Sequence, residues 1–327
     1  MKTGLVLGKF LPLHQGHIAL VQFALQNCDK LILLLCSTAN EPIPGEIRKG
    51  WLASTFGTDV RVQIEHIQYN EQELPNTSVS SQEVSALWGA YINKSFPGID
   101  IFISSETYGD YLADYLHIEH TSFDKERSQV SISASAILLN PFRQWSFISG
   151  AAKPWFVKKI CISGSESTGK STLTKNLAHH FTTAFVPEMA REIIEKTEDV
   201  CFDDLIQIAA LQAKTINERL PGANKILICD TDLNITRSYS KYLFNRKLEV
   251  PEWIENANRF DMHIFLETDC PFIQDGTRLS KKERDRLSGF HKQQLDEAGI
   301  PYFSIHGDWS SRFEDAKSLI GKNLFSY

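Results

Sequence analysis

The stretch Ile160-Cys161-Ile162-Ser163-Gly164-Ser165-Glu166-Ser167-Thr168-Gly169-Lys170-Ser171-Thr172-Leu173 joins an apolar strand, a glycine-bearing turn and a helix start. Its spacing is that of a P-loop. Gly164 and Gly169 let the chain curl so that successive N–H groups point inward, with Ser165, Glu166, Ser167, Thr168 and Thr172 completing the cradle. Lys170 can reach the outer phosphates of ATP, and the Ser171 hydroxyl can ligate Mg2+. The helix that opens at Gly169 turns its positive end to the same anion. Four fixed positions coincide by chance about once per hundred chains of this length. Here a strand over 158–163 precedes them, and Leu173, Leu177 and Phe181 space an apolar helix face behind them.

Downstream, residues 184–186 form a short strand ending at Pro187-Glu188-Met189-Ala190-Arg191, where Glu188 and Arg191 share one face. They are placed either to meet an acceptor substrate or to pair with each other at the surface. Residues 225–230 are a continuous apolar strand ended by Asp230, as a Walker B element requires. The carboxylate there can hold Mg2+ opposite Ser171; capping of the next helix is the alternative, and it weighs more at Asp232. A strand over 262–267 leads to Asp275-Gly276-Thr277-Arg278 and a charged run through Arg284 and Arg286. Such a run is either solvated surface or a basic segment that folds over ATP with Arg278 near the transferring group.

With 327 residues, the chain is too long for one ordinary core, and a division into residues 1–150 and 151–327 is expected. Asn140-Pro141 and Gly150-Ala151-Ala152-Lys153-Pro154 mark the boundary. A hydrophobic share of 42% and a charged share of 23% are globular values. The net charge of −6 argues against a broad nucleic-acid surface, whereas the phosphates of small ligands need only local charge. Apolar runs such as 31–36 have the length of core strands, and no secretory signal opens the chain, so a cytoplasmic enzyme without membrane contact is expected. The six cysteines show no CxxC spacing and read as reduced thiols.

The first half opens with a strand over 3–7 and then Gly8-Lys9-Phe10-Leu11-Pro12-Leu13-His14-Gln15-Gly16-His17, an HxGH motif. His14 and His17 fall at the start of a helix over 18–27, where two imidazoles and Lys9 can donate to phosphate oxygens beside the helix dipole. Gly8 and Gly16 allow close approach of backbone to ligand, with Phe10 in the same turn. Strands over 30–36, 60–67 and 99–104 alternate with helices over 46–55 and 82–96, which predicts a parallel α/β sheet. Ligands collect at the carboxyl ends of such strands, where Ser105 and Glu106 emerge. Trp88 reads equally as a core aromatic or as a platform for a ligand's ring. Ser133 and Ser135 cap a helix or bind phosphate.

The HxGH segment resembles the nucleotidyltransferase superfamily of that name. The whole order of motifs looks like bifunctional NMN adenylyltransferase/ribosylnicotinamide kinases of the NadR type. The residues carrying it are 8–17, Ser104-Ser105-Glu106 with Tyr108-Gly109, Ile132-Ser133, 140–145, 164–173, 230–232, 259–261 and 275–278. The resemblance implies two doubly wound α/β parallel-sheet domains: a Rossmann-like HxGH nucleotidyltransferase, then a P-loop kinase. It implies that the second domain phosphorylates nicotinamide riboside with ATP and that the first adenylylates the resulting NMN to NAD, releasing pyrophosphate. Lys9, His14 and His17 would bind ATP phosphates, and Trp88 would stack on nicotinamide. Asp230 would bind metal and take the hydroxyl proton, with Glu188 and Asp232 as rival bases. A first domain that only senses nucleotides, or one that uses another phosphorylated acceptor, stays open. Some family members carry an amino-terminal helix-turn-helix; this chain begins at the first strand, so no DNA binding is expected. The family pattern has an arginine where this chain has Leu138, which leaves Arg143 or Arg48 to compensate. Homo-oligomerisation stays open.

Overall fold

The computed structural model describes residues 1–76, 80–126, 128–194, 200–272 and 280–325. The chain divides into two units, Met1–Trp155 and Phe156–Tyr327.

In the first unit the chain runs β1 (Thr3–Gly8), α1 (Gln15–Asn27), β2 (Lys30–Ser37), α2 (Gly45–Phe56), β3 (Val62–Gln68), α3 (Gln82–Ser95), β4 (Ile101–Ser104), α4 (Tyr108–Leu116), β5 (Glu119–Ser122) and α5 (Ala134–Leu139). All five strands are parallel, in the order β3-β2-β1-β4-β5. The run Leu-Ile-Leu-Leu-Leu-Cys of β2 is apolar throughout because helices cover both faces of such a sheet. Strand order reverses between β1 and β4, so the turns that follow these two strands frame a crevice. The sequence reading had no strand at β5. Its residues Glu-His-Thr-Ser carry no apolar run, and the strand exists only as an edge paired with all four residues of β4.

The second unit follows the short helix α6 (Lys153–Phe156) with β6 (Lys158–Gly164), α7 (Lys170–His180), β7 (Phe185–Val186), α8 (Phe202–Arg219), β8 (Ile226–Asp230), α9 (Leu233–Phe244), α10 (Glu252–Ala257), β9 (Met262–Leu266), α11 (Lys281–Glu297), β10 (Phe303–Ile305) and α12 (Trp309–Leu324). Its parallel order is β10-β9-β6-β8-β7. The alternation of β6 sends Ile160 and Ile162 into a core with Leu177 of α7, Ile228, Ile264 and Ile320. Burial of these residues on the central strand fixes where the P-loop leaves the sheet.

The charged run after residue 280 is not solvated throughout. It opens α11 through a capping box in which Ser280 and Glu283 bond each other's backbone N–H. Helical spacing leaves Lys281 and Arg286 exposed and sends Arg284 fully inside, where it donates to the Thr268 carbonyl and to Asp285. Asp275, Gly276, Thr277 and Arg278 lie outside the described residues. Among those described, all six cysteines are unbridged, five of them buried, and no helix is long and apolar enough to cross a membrane.

Candidate active sites

In the first unit, a cavity of about 470 Å³ at the β1/β4 switch point is lined by Gly8, Lys9, Phe10, His14, Gly16, His17, Trp88, Ser105, Glu106 and Ser133. The HxGH spacing works locally. His14 is the N-cap of α1, with Nδ1 accepting from Gly16 N at 3.1 Å, and its ring stacks on that of His17 with centroids 3.8 Å apart. A Cβ on Gly16 would sit 3.0 Å from the His14 ring, a tight contact that the glycine avoids. Phe10 closes the turn from below, 5.0 Å from the His17 ring.

Lys9 is held from two sides. Its ammonium lies 3.0 Å from Glu41, and its carbonyl oxygen accepts from Arg48 at 2.5 Å. Arg48 is fully buried and also pairs with Glu41, so it serves the turn and does not replace the missing arginine. The lysine and arginine together hold Glu41 below its ordinary value despite its burial. Trp88 packs among the core aromatics, donates Nε1–H to Pro75 O at 3.1 Å, and also lines the cavity.

Two expectations fail here. Ser135 is exposed on α5 and outside the cavity lining, because the helical turn from Ser133 carries it around to solvent. Arg143 is exposed on a turn closed by Asn140, whose side chain accepts from its N–H, and it too does not line the cavity. Leu138 likewise faces away. Ser133 does line it, while capping α5 through Ala136 N at 3.2 Å.

In the second unit, the P-loop turns tightly at Gly169, with φ of +86°, and a Cβ there would meet the Trp309 ring at 2.1 Å. Thr168 Oγ1 donates to Ser165 O at 2.8 Å, and Lys170 Nζ donates to the same carbonyl at 3.1 Å. The Ser171 hydroxyl donates to Asp230 Oδ2 at 2.6 Å, which joins the two residues expected to hold a cation. Thr172 is exposed on α7, one step past that pair. Arg312 was not foreseen. Fully buried on α12, it donates to the carbonyls of Thr168, Glu267 and Gly307, each at 2.8 Å, and pairs with Asp269.

Beside the P-loop lies a cavity of about 660 Å³ lined by Glu166, Lys170, Glu188, Arg191, Asp232 and the apolar side chains of Met189, Ile208 and Ile235. Glu188 accepts from Arg191 Nε at 3.1 Å, so the ion pair and the cavity wall are one feature. Asp232 is committed: it caps α9 through Ile235 N at 3.0 Å and accepts from Asn234 at 2.6 Å. His263 lies 3.6 Å behind it, held below its ordinary value by burial. Gln212 ties the strap around the site, accepting from Met189 N at 3.3 Å and donating to Asp230 O and Thr231 O.

Fold and sites together define a two-site nucleotide transferase, with a phosphate-binding turn at the end of the central strand of each unit. Comparison with known proteins agrees. An AAA-domain family model matches residues 159–312. The trifunctional NAD biosynthesis/regulator protein NadR of Escherichia coli K12 is 30% identical over 347 residues, spanning 97% of this chain and 82% of that protein. Its Salmonella typhimurium LT2 counterpart is 29% identical over 98% of this chain and 83% of its own. A NadR crystal structure in complex with NR superposes with a TM-score of 0.79 at 21% identity, covering 100% of this chain and 97% of that one. The chain belongs to the NadR family.

Burial, followed by the charge of Glu188, pushes Asp230 up to about 6. An acid whose value is raised in the folded state holds its proton more tightly there than when unfolded. Its charge therefore costs stability in full above about pH 6, and not at all below the ordinary carboxylate range. In metal-free buffer, Asp230→Asn is expected to melt roughly 2–4 °C above the parent at pH 8, with the gap closing toward pH 4. Calorimetric scans at the two pH values check this, and equal melting throughout would refute it.

Proposed function

We propose that the second unit, residues 151–327, transfers the γ-phosphoryl group of ATP to the 5′-hydroxyl of nicotinamide riboside, and that the first, residues 1–150, joins the resulting NMN to the adenylyl group of ATP. The products are NAD and pyrophosphate. Family membership over 97% of the chain carries this reading, supported by two phosphate-binding turns set in separate sheets.

In the kinase, backbone N–H groups of the turn and Lys170 receive the outer phosphates. Asp230 and Ser171 offer a carboxylate and a hydroxyl 2.6 Å apart, hard oxygen donors suited to Mg2+, which when bound would neutralise phosphate charge. Arg278 remains a candidate for the transferring group. Asp230 is buried and does not line the acceptor cavity, whereas Glu188 does, next to Lys170. Glu188 is therefore the better-placed acceptor of the hydroxyl proton, in place of Asp230. In the first unit, Lys9, His14 and His17 would gather the triphosphate, with Lys9 released from Glu41. An NMN phosphate oxygen then attacks the α-phosphorus and pyrophosphate leaves; the acceptor is already a nucleophile, so alignment and charge neutralisation suffice.

Purified protein given ATP, Mg2+ and nicotinamide riboside is expected to accumulate the mononucleotide first and NAD second, followed by chromatography. Mononucleotide without NAD would leave the first unit as a sensor or as a transferase for another acceptor. Lys170→Ala should lower phosphorylation by roughly a hundredfold or more and spare NAD formation from supplied mononucleotide. His17→Ala should do the reverse, and equal loss of both activities in either variant would refute separate sites.

A further inference from the structure

The first unit contains the same four-residue arrangement twice, once on each side of β1. Ser37 ends β2 and its Oγ lies 2.8 Å from His66 Nε2 on the neighbouring strand β3. The other nitrogen, Nδ1, lies 2.9 Å from Glu46 at the start of α2. Ser104 ends β4 and its Oγ lies 3.0 Å from His120 Nε2 on the neighbouring strand β5, with Nδ1 2.6 Å from Asp110 at the start of α4. The register repeats as well: His66 pairs with Leu35 and His120 with Phe102, each two residues before the serine. A glycine precedes each acid, and there is no room for anything larger. A Cβ on Gly45 would fall 2.4 Å from His66 Nε2 and 2.5 Å from Ser37 Oγ; one on Gly109 would fall 2.4 Å from His120 Nε2 and 2.2 Å from Ser104 Oγ. A carboxylate can only accept, so each Nδ1 carries a proton, and each Nε2 faces its serine hydroxyl.

Serine, histidine and acid in this order resemble a nucleophilic triad, but both serines are buried, at 2% and 3% exposure, which suits a structural tie better than a nucleophile. What each arrangement does is tie a strand end, the next helix start and the outer strand into one rigid corner. Both corners reach the same place. Two residues beyond Glu46, Arg48 donates to the carbonyl of Lys9. Next to Gly109, the Tyr108 hydroxyl reaches the carbonyl of Leu7 at 3.4 Å. The Ser104 hydroxyl also lies 3.1 Å from the carbonyl of Glu106, which lines the cavity.

We propose that His66 and His120 are positioning residues of twin Ser–His–acid clamps, which brace the β1–α1 phosphate turn from both flanks through Arg48 and Tyr108. The clamps fix where Lys9 and the amides of residues 8–10 stand when a triphosphate arrives. A brace of this kind acts on binding geometry and not on the reacting atoms, so its loss weakens nucleotide binding more than it slows the chemical step.

The inference rests on the adenylyltransferase reading of the first unit, and the full-length chain supplies its own control. In steady-state NAD formation from the mononucleotide, His66→Ala and His120→Ala are each expected to raise KM for ATP roughly tenfold, with kcat within about threefold of the parent. Kinase kcat and KM of the same preparations stay unchanged. Gly45→Ala and Gly109→Ala give the same pattern, whereas Glu46→Gln and Asp110→Asn, which keep an oxygen for Nδ1–H, stay near the parent. Unchanged KM in both histidine variants overturns the proposal, as does a parallel loss of both activities with lowered melting temperature, which would mark general packing residues. A parent protein that makes no NAD overturns the adenylyltransferase reading instead.

Discussion

A turn that aims its N–H groups at an anion must aim its carbonyl oxygens the other way, and in both units a fully buried arginine receives them. Arg48 takes the carbonyl of Lys9, and Arg312 takes that of Thr168. A buried guanidinium needs acceptors for its donors: Arg48 has the Lys9 carbonyl and the Glu41 carboxylate, and Arg312 has three backbone carbonyls and the Asp269 carboxylate. Arg312 also spans the carbonyls of Glu267 and Gly307, so one side chain joins the P-loop to the ends of β9 and β10. Lysine could not do this, because its single nitrogen lacks the planar fork that reaches separated acceptors.

The same constraint explains what the sequence disclosed and what it withheld. Both phosphate turns were legible, because a glycine pattern between an apolar strand and an amphipathic helix is a local signal. The alternation of strands and helices was legible too, since a parallel sheet buried on both faces writes itself as continuous apolar runs. Polar edge strand β5 was not, because it depends wholly on β4 as a partner. Nor were the structural roles of Arg48, Arg312 and Gln212 assignable, since they rest on backbone atoms remote in sequence, and a backbone carbonyl leaves no trace in residue identity. Ser135 and Arg143 failed for the opposite reason: proximity in sequence to a functional serine or arginine pattern does not determine which way a short helix or turn faces.

Charge distribution separates the two cavities. The kinase cavity is lined by Glu166, Glu188 and Asp232 against Lys170 and Arg191, with Asp230 buried behind it. That excess of carboxylate suits a divalent cation and a cationic acceptor ring. In the first unit, by contrast, one of the two acids lining the cavity is engaged by backbone. Asp124 accepts from the N–H groups of Ser128, Gln129 and Val130, hydrogen bonds that hold it below its ordinary value against the opposing pull of desolvation. The histidine pair, Lys9 and the positive end of α1 line the crevice there, with Glu106 as its other acid.

This difference orders the two reactions physically. On the proposed reading, nicotinamide riboside is a cation without phosphate, and it belongs in the carboxylate-lined cavity. Phosphorylation reverses its charge, so its product is repelled by the cavity that made it and suits the one lined by imidazoles and amide dipoles. Lys9 is ion-paired with Glu41 until a ligand competes for it, so an anion must carry enough charge to displace a carboxylate already 3.0 Å away. A triphosphate meets that condition more readily than a monophosphate does. On the same proposed reading, the Glu41–Lys9 pair, seated on the carbonyl that Arg48 holds, would favour ATP over the mononucleotide at the turn itself.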